Sequence, residues 1–223
     1  CEPGMHRVLS ANQLDTACQA LADFADIKSP YTLGHSHAVA RLASTAGRIA
    51  GLGEAEGLAL WRAGLLHDLG RVGVSAGIWA KPGPLNDREW ELVRLYPYYT
   101  ERILARPAAF ATISTTAALH CERLDGSGYH RRLPASMLSP AARLLAAADV
   151  FQALLEPRPH RPARRPDVAA TELARAAQAG GLDPDAVRYV LASAGQSAKQ
   201  AQPARPAQLT ERELDVLRLI ARG

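Results

Sequence analysis

The segment ALWRAGLLHDLGR, residues 59–71, constrains the fold more than any other part of the chain. It is apolar nearly all round a helix, so it belongs inside a core and not on a surface. Yet it ends in two adjacent polar groups, His67 and Asp68. A carboxylate inside a core is costly unless a cation or hydrogen-bond donors neutralise it. Backbone groups of the turn at Gly70 would meet that demand at a helix end, and so would a metal ion. The fold must bury this helix and also answer for the charge it carries inward.

The rest of the chain supplies helical partners. Aromatic residues make up only 5% of the 223 residues, and alanine is abundant. Apolar residues recur at helical spacing, and β-branched runs of period two are absent, which predicts an all-α domain. Helices are expected at about 12–26, 34–50, 54–69, 87–95, 98–105, 108–122, 140–155, 167–178 and 184–194. Asn86 with Glu89 has the form of a capping box. Ser139 followed by Pro140 is a good N-cap and first-turn pair. The glycine- and proline-rich segment Arg71 to Pro84 predicts a long loop. The domain organisation expected is a helical lead-in over 1–27, a main domain over 28–195, an Ala/Gln/Pro-rich linker over 196–208 and a new helix over 209–223. In that last segment, LTERELDVLRLIARG, Thr210 and Glu213 form a second capping-box pattern.

Further polar residues fall on apolar helix faces. His35 shares a stripe with Val39, Leu42, Ala46 and Ile49, whereas His37 shares one with Arg41, Ser44 and Arg48. His35 therefore faces the interior and His37 faces water. His120, next to Cys121, shares a face with Ile113 and Ala117. Asp149 shares one with Leu145, Ala148 and Gln152. Each residue alone has a plain explanation, such as a hydrogen-bonded core histidine. Together, three inward histidines and two inward aspartates on four helices are hard for one domain to bury without a cation. Imidazoles and carboxylates are common metal ligands.

Composition bounds the setting. Hydrophobic residues are 48%, enough for one sizeable core, and the net charge of +4 comes from basic residues that are nearly all arginine. That excess neither demands nor excludes nucleic acid. Three widely spaced cysteines form no disulfide framework, so a reducing cytoplasm is expected. No apolar run approaches the roughly 20 residues that cross a bilayer. The chain starts at Cys1, which predicts a piece of a longer protein.

Five motifs, in order and spacing, carry a family resemblance: HS at His35, HDLGR at 67–71, KPGPL at 81–85, HCERLDGSGYH at 120–130 and AADVF at 147–151. Over residues 28–194 the chain resembles HD-GYP domains of the HD phosphohydrolase superfamily. The resemblance implies a metal-dependent phosphodiesterase, typically acting on cyclic di-GMP, built as an HD-type helical bundle with the metal centre in its core. The first metal's ligands fall on His35, His67, Asp68 and Asp149. The second metal would share Asp68 and add His120, but its other two ligand positions are altered to Tyr96 and Cys121. A third metal's glutamate falls at Tyr31. Arg71 stands where the family has a lysine near the scissile phosphate. Tyr129, Arg158 and Arg161 fall at positions that contact substrate, although the arginines also fit a solvated Pro/Arg loop.

The resemblance thus implies a divalent ion, iron, manganese or zinc, with one more expected than two. Asp68 and Arg71 take the catalytic roles. A cyclic dinucleotide or another phosphoester is the expected ligand, and a second copy of the chain a further partner. The tail resembles the start of a LuxR-type helix-turn-helix, cut off after its first helix, so DNA is expected as a partner only through a complete C-terminal domain. The altered ligands keep a second function open: a catalytically degenerate domain that binds a nucleotide or partner and regulates that helix-turn-helix.

Overall fold

In the computed structural model, residues 9–196 are described. They form ten α-helices: α1 (Ala11–Asp26), α2 (His35–Ile49), α3 (Glu54–Leu66), α4 (Ala76–Trp79), α5 (Asp87–Arg94), α6 (Tyr96–Leu104), α7 (Ala111–Ala118), α8 (Pro140–Leu155), α9 (Pro166–Gln178) and α10 (Pro184–Ser193). Short 3₁₀ turns cover Leu69–Gly73, Ala108–Phe110 and Ala135–Met137. No strand occurs among the described residues beyond one isolated bridge, Arg158 to Arg161. The expected linker beyond Gln196 and the expected helix over 209–223 lie outside the described residues.

Helix α2 is the hub and packs against α3, α8 and α10. Small residues permit close approach: a Cβ on Gly64 would stand 2.6 Å from the Cα of Ala40. That contact draws the end of α3 toward the start of α2, and so brings His67 to His35. The core includes Val39, Leu65, Leu66, Leu145, Phe151, Leu173 and Leu191, all buried. Helix α1, expected as a lead-in, contributes Cys18, Ala22 and Ala25 to this same core. Its last residue, Asp26, is buried and accepts from the backbone N–H and hydroxyl of Ser36 at 3.0 and 2.7 Å, which fixes the first turn of α2. The capping residues expected at Asn86 and Ser139 are both present.

Four boundaries differ from expectation. Helix α3 ends at Leu66, not Leu69, because Thr100 on α6 takes the carbonyl of His67 at 2.9 Å. Part of the expected loop after Arg71 is structured, since the Arg71 carbonyl accepts from Val74 N and from Trp79 Nε1. Helix α6 begins at Tyr96, with Pro97 in the first turn, where its missing N–H costs nothing. Helix α7 stops at Ala118, so His120 and Cys121 sit just beyond it. There the chain wraps around the buried Glu122 carboxylate, which accepts from Arg131 N and Leu133 N at 2.8 and 3.0 Å.

Candidate metal centre

Three helix ends and the body of α8 deliver the polar residues to one buried point. His35 is the first residue of α2, His67 and Asp68 follow α3, His120 and Cys121 follow α7, and Asp149 lies within α8. His35, His67, Asp68 and His120 are each at most 2% exposed. His35 Nε2 lies 3.2 Å from Asp149 Oδ1 and 3.9 Å from Asp68 Oδ2. His67 Nε2 lies 3.6 Å from Asp68 Oδ1 and 3.7 Å from Asp149 Oδ1. His120 Nε2 is 3.8 Å from Asp68 Oδ1.

Two of the three histidines are oriented by the same device. His67 Nδ1 donates to Gly64 O at 2.7 Å, and His120 Nδ1 donates to Ala117 O at 2.8 Å. Each uses a carbonyl left free by the end of its own helix. A carbonyl can only accept, so Nδ1 carries the proton, and the neutral ring presents a bare Nε2 to the cluster. His67 Nε2 is buried and has no hydrogen-bond partner. Such an atom calls for an explanation, and an unseen ion is one. Donors about 2.1 Å from a shared ion stand roughly 3.0–3.5 Å apart, close to the separations seen here. His35, His67 and Asp68, and likewise His67, His120 and Asp149, could hold a metal ion. The donor set fits a divalent cation.

Electrostatics supports that fit. Burial alone would lower the His35 pKa, but hydrogen bonds to Asp149 and Glu156 and the charge of Asp68 outweigh it and raise the group to about 10. Burial would raise Asp68, yet the charges of Arg71 and His35 hold it well below the usual carboxylate range. Asp149 is likewise held low, against its burial, by its hydrogen bond to His35. The pocket is thus built around persistent negative charge.

The second wall is already bonded to itself. Tyr96 Oη lies 2.7 Å from His120 Nε2 and 3.1 Å from Cys121 Sγ. With a bare Nε2 on His120, the Tyr96 hydroxyl donates to it and accepts from the thiol. Burial, with the charge of Asp149, pushes the Cys121 pKa up to about 12. Burial, with Cys121 beside it, holds the Tyr96 phenol well above its ordinary value. Tyr129 is half-buried against this same wall.

The remaining expected residues divide. Arg71 Nη1 bonds Asp68 Oδ2 at 3.0 Å, and its guanidinium lies 4.0 Å from the Trp79 ring centroid. Arg158 bonds the Tyr31 carbonyl at 3.0 Å and pairs with Glu156 at 3.1 Å. Arg161 is spent elsewhere: it donates to Ala153 O, Leu154 O and Glu156 O at the end of α8. His37, expected at the surface, pairs with Asp23 at 2.9 Å. Sequence reasoning missed Glu156, which binds His35 Nδ1 with both oxygens. The signal was there, because the stripe of Asp149 and Gln152 continues to position 156. It also missed Thr100, which donates to His67 O and accepts from Gly70 N at 2.9 Å. That residue depends on tertiary contact: a Cβ at Gly70 would meet Tyr96 O at 2.0 Å.

No helix among the described residues is long and apolar enough to cross a membrane. A family profile described as HD domain matches residues 19–186. The chain is 40% identical over 164 residues to the 3′3′-cGAMP-specific phosphodiesterase 3 of Vibrio cholerae, covering 74% of this chain and 36% of that protein. It is 35% identical over 164 residues to the cyclic di-GMP phosphodiesterase response regulator RpfG of Xanthomonas campestris, covering 71% of this chain and 43% of that one. Among solved structures it matches a cyclic GMP-AMP-specific phosphodiesterase of V. cholerae at 33% identity and a TM-score of 0.54, over 85% of this chain and 43% of that one. It also shares a fold with an HDG"Y"P protein from Bdellovibrio bacteriovorus, at 15% identity and a TM-score of 0.62, over 81% of this chain and 63% of that one. The chain therefore spans less than half the length of these curated relatives. It belongs to the HD domain family, within the HD-GYP group.

Proposed function

We propose that this domain hydrolyses a cyclic dinucleotide at a centre that retains one metal site. The observation that carries the reading is the convergence of His35, His67, Asp68 and Asp149 around the unpartnered His67 Nε2. These four residues would hold the divalent ion, iron, manganese or zinc. When bound, such an ion lowers the pKa of a bound water and offsets charge on a phosphate. The chain's own groups do the rest. Arg71, braced between Asp68 and Trp79, keeps a fixed positive charge beside the cluster. Tyr129 and Arg158 border the site and are proposed to contact the base and phosphate of the substrate. Arg161 acts through the end of α8, which it holds. The substrate class is supported by relatives named as 3′3′-cGAMP and cyclic di-GMP phosphodiesterases.

The second reading is a domain that binds its nucleotide, or a partner, without useful turnover. The Tyr96 to His120 contact of 2.7 Å favours it, because it occupies the nitrogen that a second ion would need. In either reading the domain is proposed to act in the cytoplasm and to control a C-terminal helix-turn-helix, for which the segment 209–223 is the support. Homodimerisation is proposed with it. The test is metal content per chain of anaerobically purified protein, measured with hydrolysis of 3′3′-cGAMP and cyclic di-GMP. About one metal with turnover supports the first reading. One metal with nucleotide binding and no turnover supports the second. No metal at all overturns both as stated.

A further inference from the structure

We infer that Glu156 is a positioning residue for the metal centre: it grips His35 through Nδ1, so that Nε2 is presented to the cluster. The inference rests on reading the cluster as a metal site. His67 and His120 orient themselves on carbonyls three residues back, at the ends of their own helices. His35 has no such option. It opens α2, and the carbonyl three residues back, Thr32 O, already accepts from His35 N at 3.0 Å. An acceptor must come from elsewhere in the fold. Glu156 supplies it from 121 positions away, with its two oxygens 2.9 and 3.0 Å from Nδ1.

Glu156 is itself held for this task. It directly follows α8, seven residues beyond Asp149, and so lies on the same face. Gln152 Nε2 donates to its Oε1 at 2.8 Å, and Arg158 pairs with its Oε2 at 3.1 Å. An ionised carboxylate only accepts, so Nδ1 must carry a proton; Nε2, which donates to Asp149 at 3.2 Å, is then the nitrogen that gives up its proton when an ion takes its place. A carboxylate is also a stronger partner than the neutral carbonyls behind His67 and His120. Partners of this kind fix a ligand's orientation and raise its basicity.

The test uses the whole chain and two readouts. In Zn²⁺-loaded protein with ¹⁵N-labelled histidine, NMR reports which His35 nitrogen keeps its proton. Competition with a chromophoric chelator gives the affinity for Zn²⁺ and for Mn²⁺. Glu156→Ala should weaken metal binding by ~10–100-fold. Glu156→Gln, which keeps an acceptor and drops the charge, should lose less and retain the Nδ1 proton. It also carries the test if the alanine variant fails to fold. Gln152→Ala separates roles, because it removes one support of the carboxylate without touching His35, and should weaken metal binding less than Glu156→Ala does. Unchanged affinity in the glutamine and alanine variants overturns the inference and leaves the metal centre standing. Equal losses in Gln152→Ala and Glu156→Ala would make Glu156 only a staple for the loop, which also overturns it. An unmodified chain that binds neither ion removes the metal-centre reading and this inference with it.

Discussion

On one wall of the cluster, His35, His67, Asp68 and Asp149 face one another at 3.2–3.9 Å, and His67 Nε2 has no partner. On the other wall, Tyr96 joins His120 to Cys121 at 2.7 and 3.1 Å. Both walls are buried, and both carry histidines oriented through Nδ1. The first leaves His67 Nε2 without a partner and surrounds it with carboxylates. The second satisfies its atoms within the protein. Since buried polar groups are costly unless paired, the first wall calls for a cation and the second does not. Ligand type alone does not make the difference, because a histidine stands on each side.

The largest expected effect comes from breaking the first wall. Asp149→Asn should remove bound metal and hydrolysis together, by more than the ~10–100-fold that loss of an outer partner costs. His35→Ala should also lower bound metal, while His37→Ala, whose partner is Asp23 at the surface, should leave it unchanged. Metal content is the measurement. Equal content in the two histidine variants would end the assignment of His35 to the cluster and the helix face behind it.

The second wall can be converted into a copy of the first. Tyr96→His with Cys121→His should raise both the metal held per chain and the hydrolysis of cyclic di-GMP or 3′3′-cGAMP. Arg71→Lys added on top should give a smaller gain, since the charge is already there. If the unmodified chain already holds two ions and the double change improves nothing, the walls do not differ as described. If two ions appear without hydrolysis, the fault lies near Tyr129 and Arg158, and the binding reading gains.

Much of this arrangement was legible in the residues. The helix faces placed His35 inward and His37 outward, and Ser139 and Asn86 marked true helix starts. Asp149 stood out as an acid on an apolar helix. The turn at 69–73 was not legible, because its shape depends on Gly70 lying against the Tyr96 carbonyl. Nor was the fate of Arg161, whose guanidinium is claimed by carbonyls that only a finished α8 exposes. Local pattern gives the face a side chain takes. It does not say which backbone atom from another element will meet it.

Removing one hydroxyl sharpens the comparison. Tyr96→Phe deletes the donor to His120 and the acceptor for Cys121, and leaves a buried ring nitrogen unpaired. Metal-free protein should lose about 1–3 kcal/mol of stability in urea. The first site should still bind its ion. A stability loss with unchanged metal content is the signature of a wall held by hydrogen bonds. A fall in metal content would mean that Tyr96 supports the first site as well.

The smallest effect is expected at Cys121, and it is the most discriminating. The thiol is a weak donor, and Cys121 is only 4% exposed. Cys121→Ala leaves the Tyr96 to His120 bond in place and removes one sulfur from a small apolar cluster with Val74, Val93 and Tyr96. The cost should stay below about 1.5 kcal/mol, the upper end for a deletion of methyl size. Metal content should not change. Urea unfolding of the metal-free chain gives the first quantity, and Zn²⁺ titration of the folded chain gives the second. If Cys121→Ala instead loses Zn²⁺ while Asp149→Asn keeps it, the thiol is a ligand, the ion belongs to the wall of Tyr96, His120 and Cys121, and the roles of the two walls are reversed.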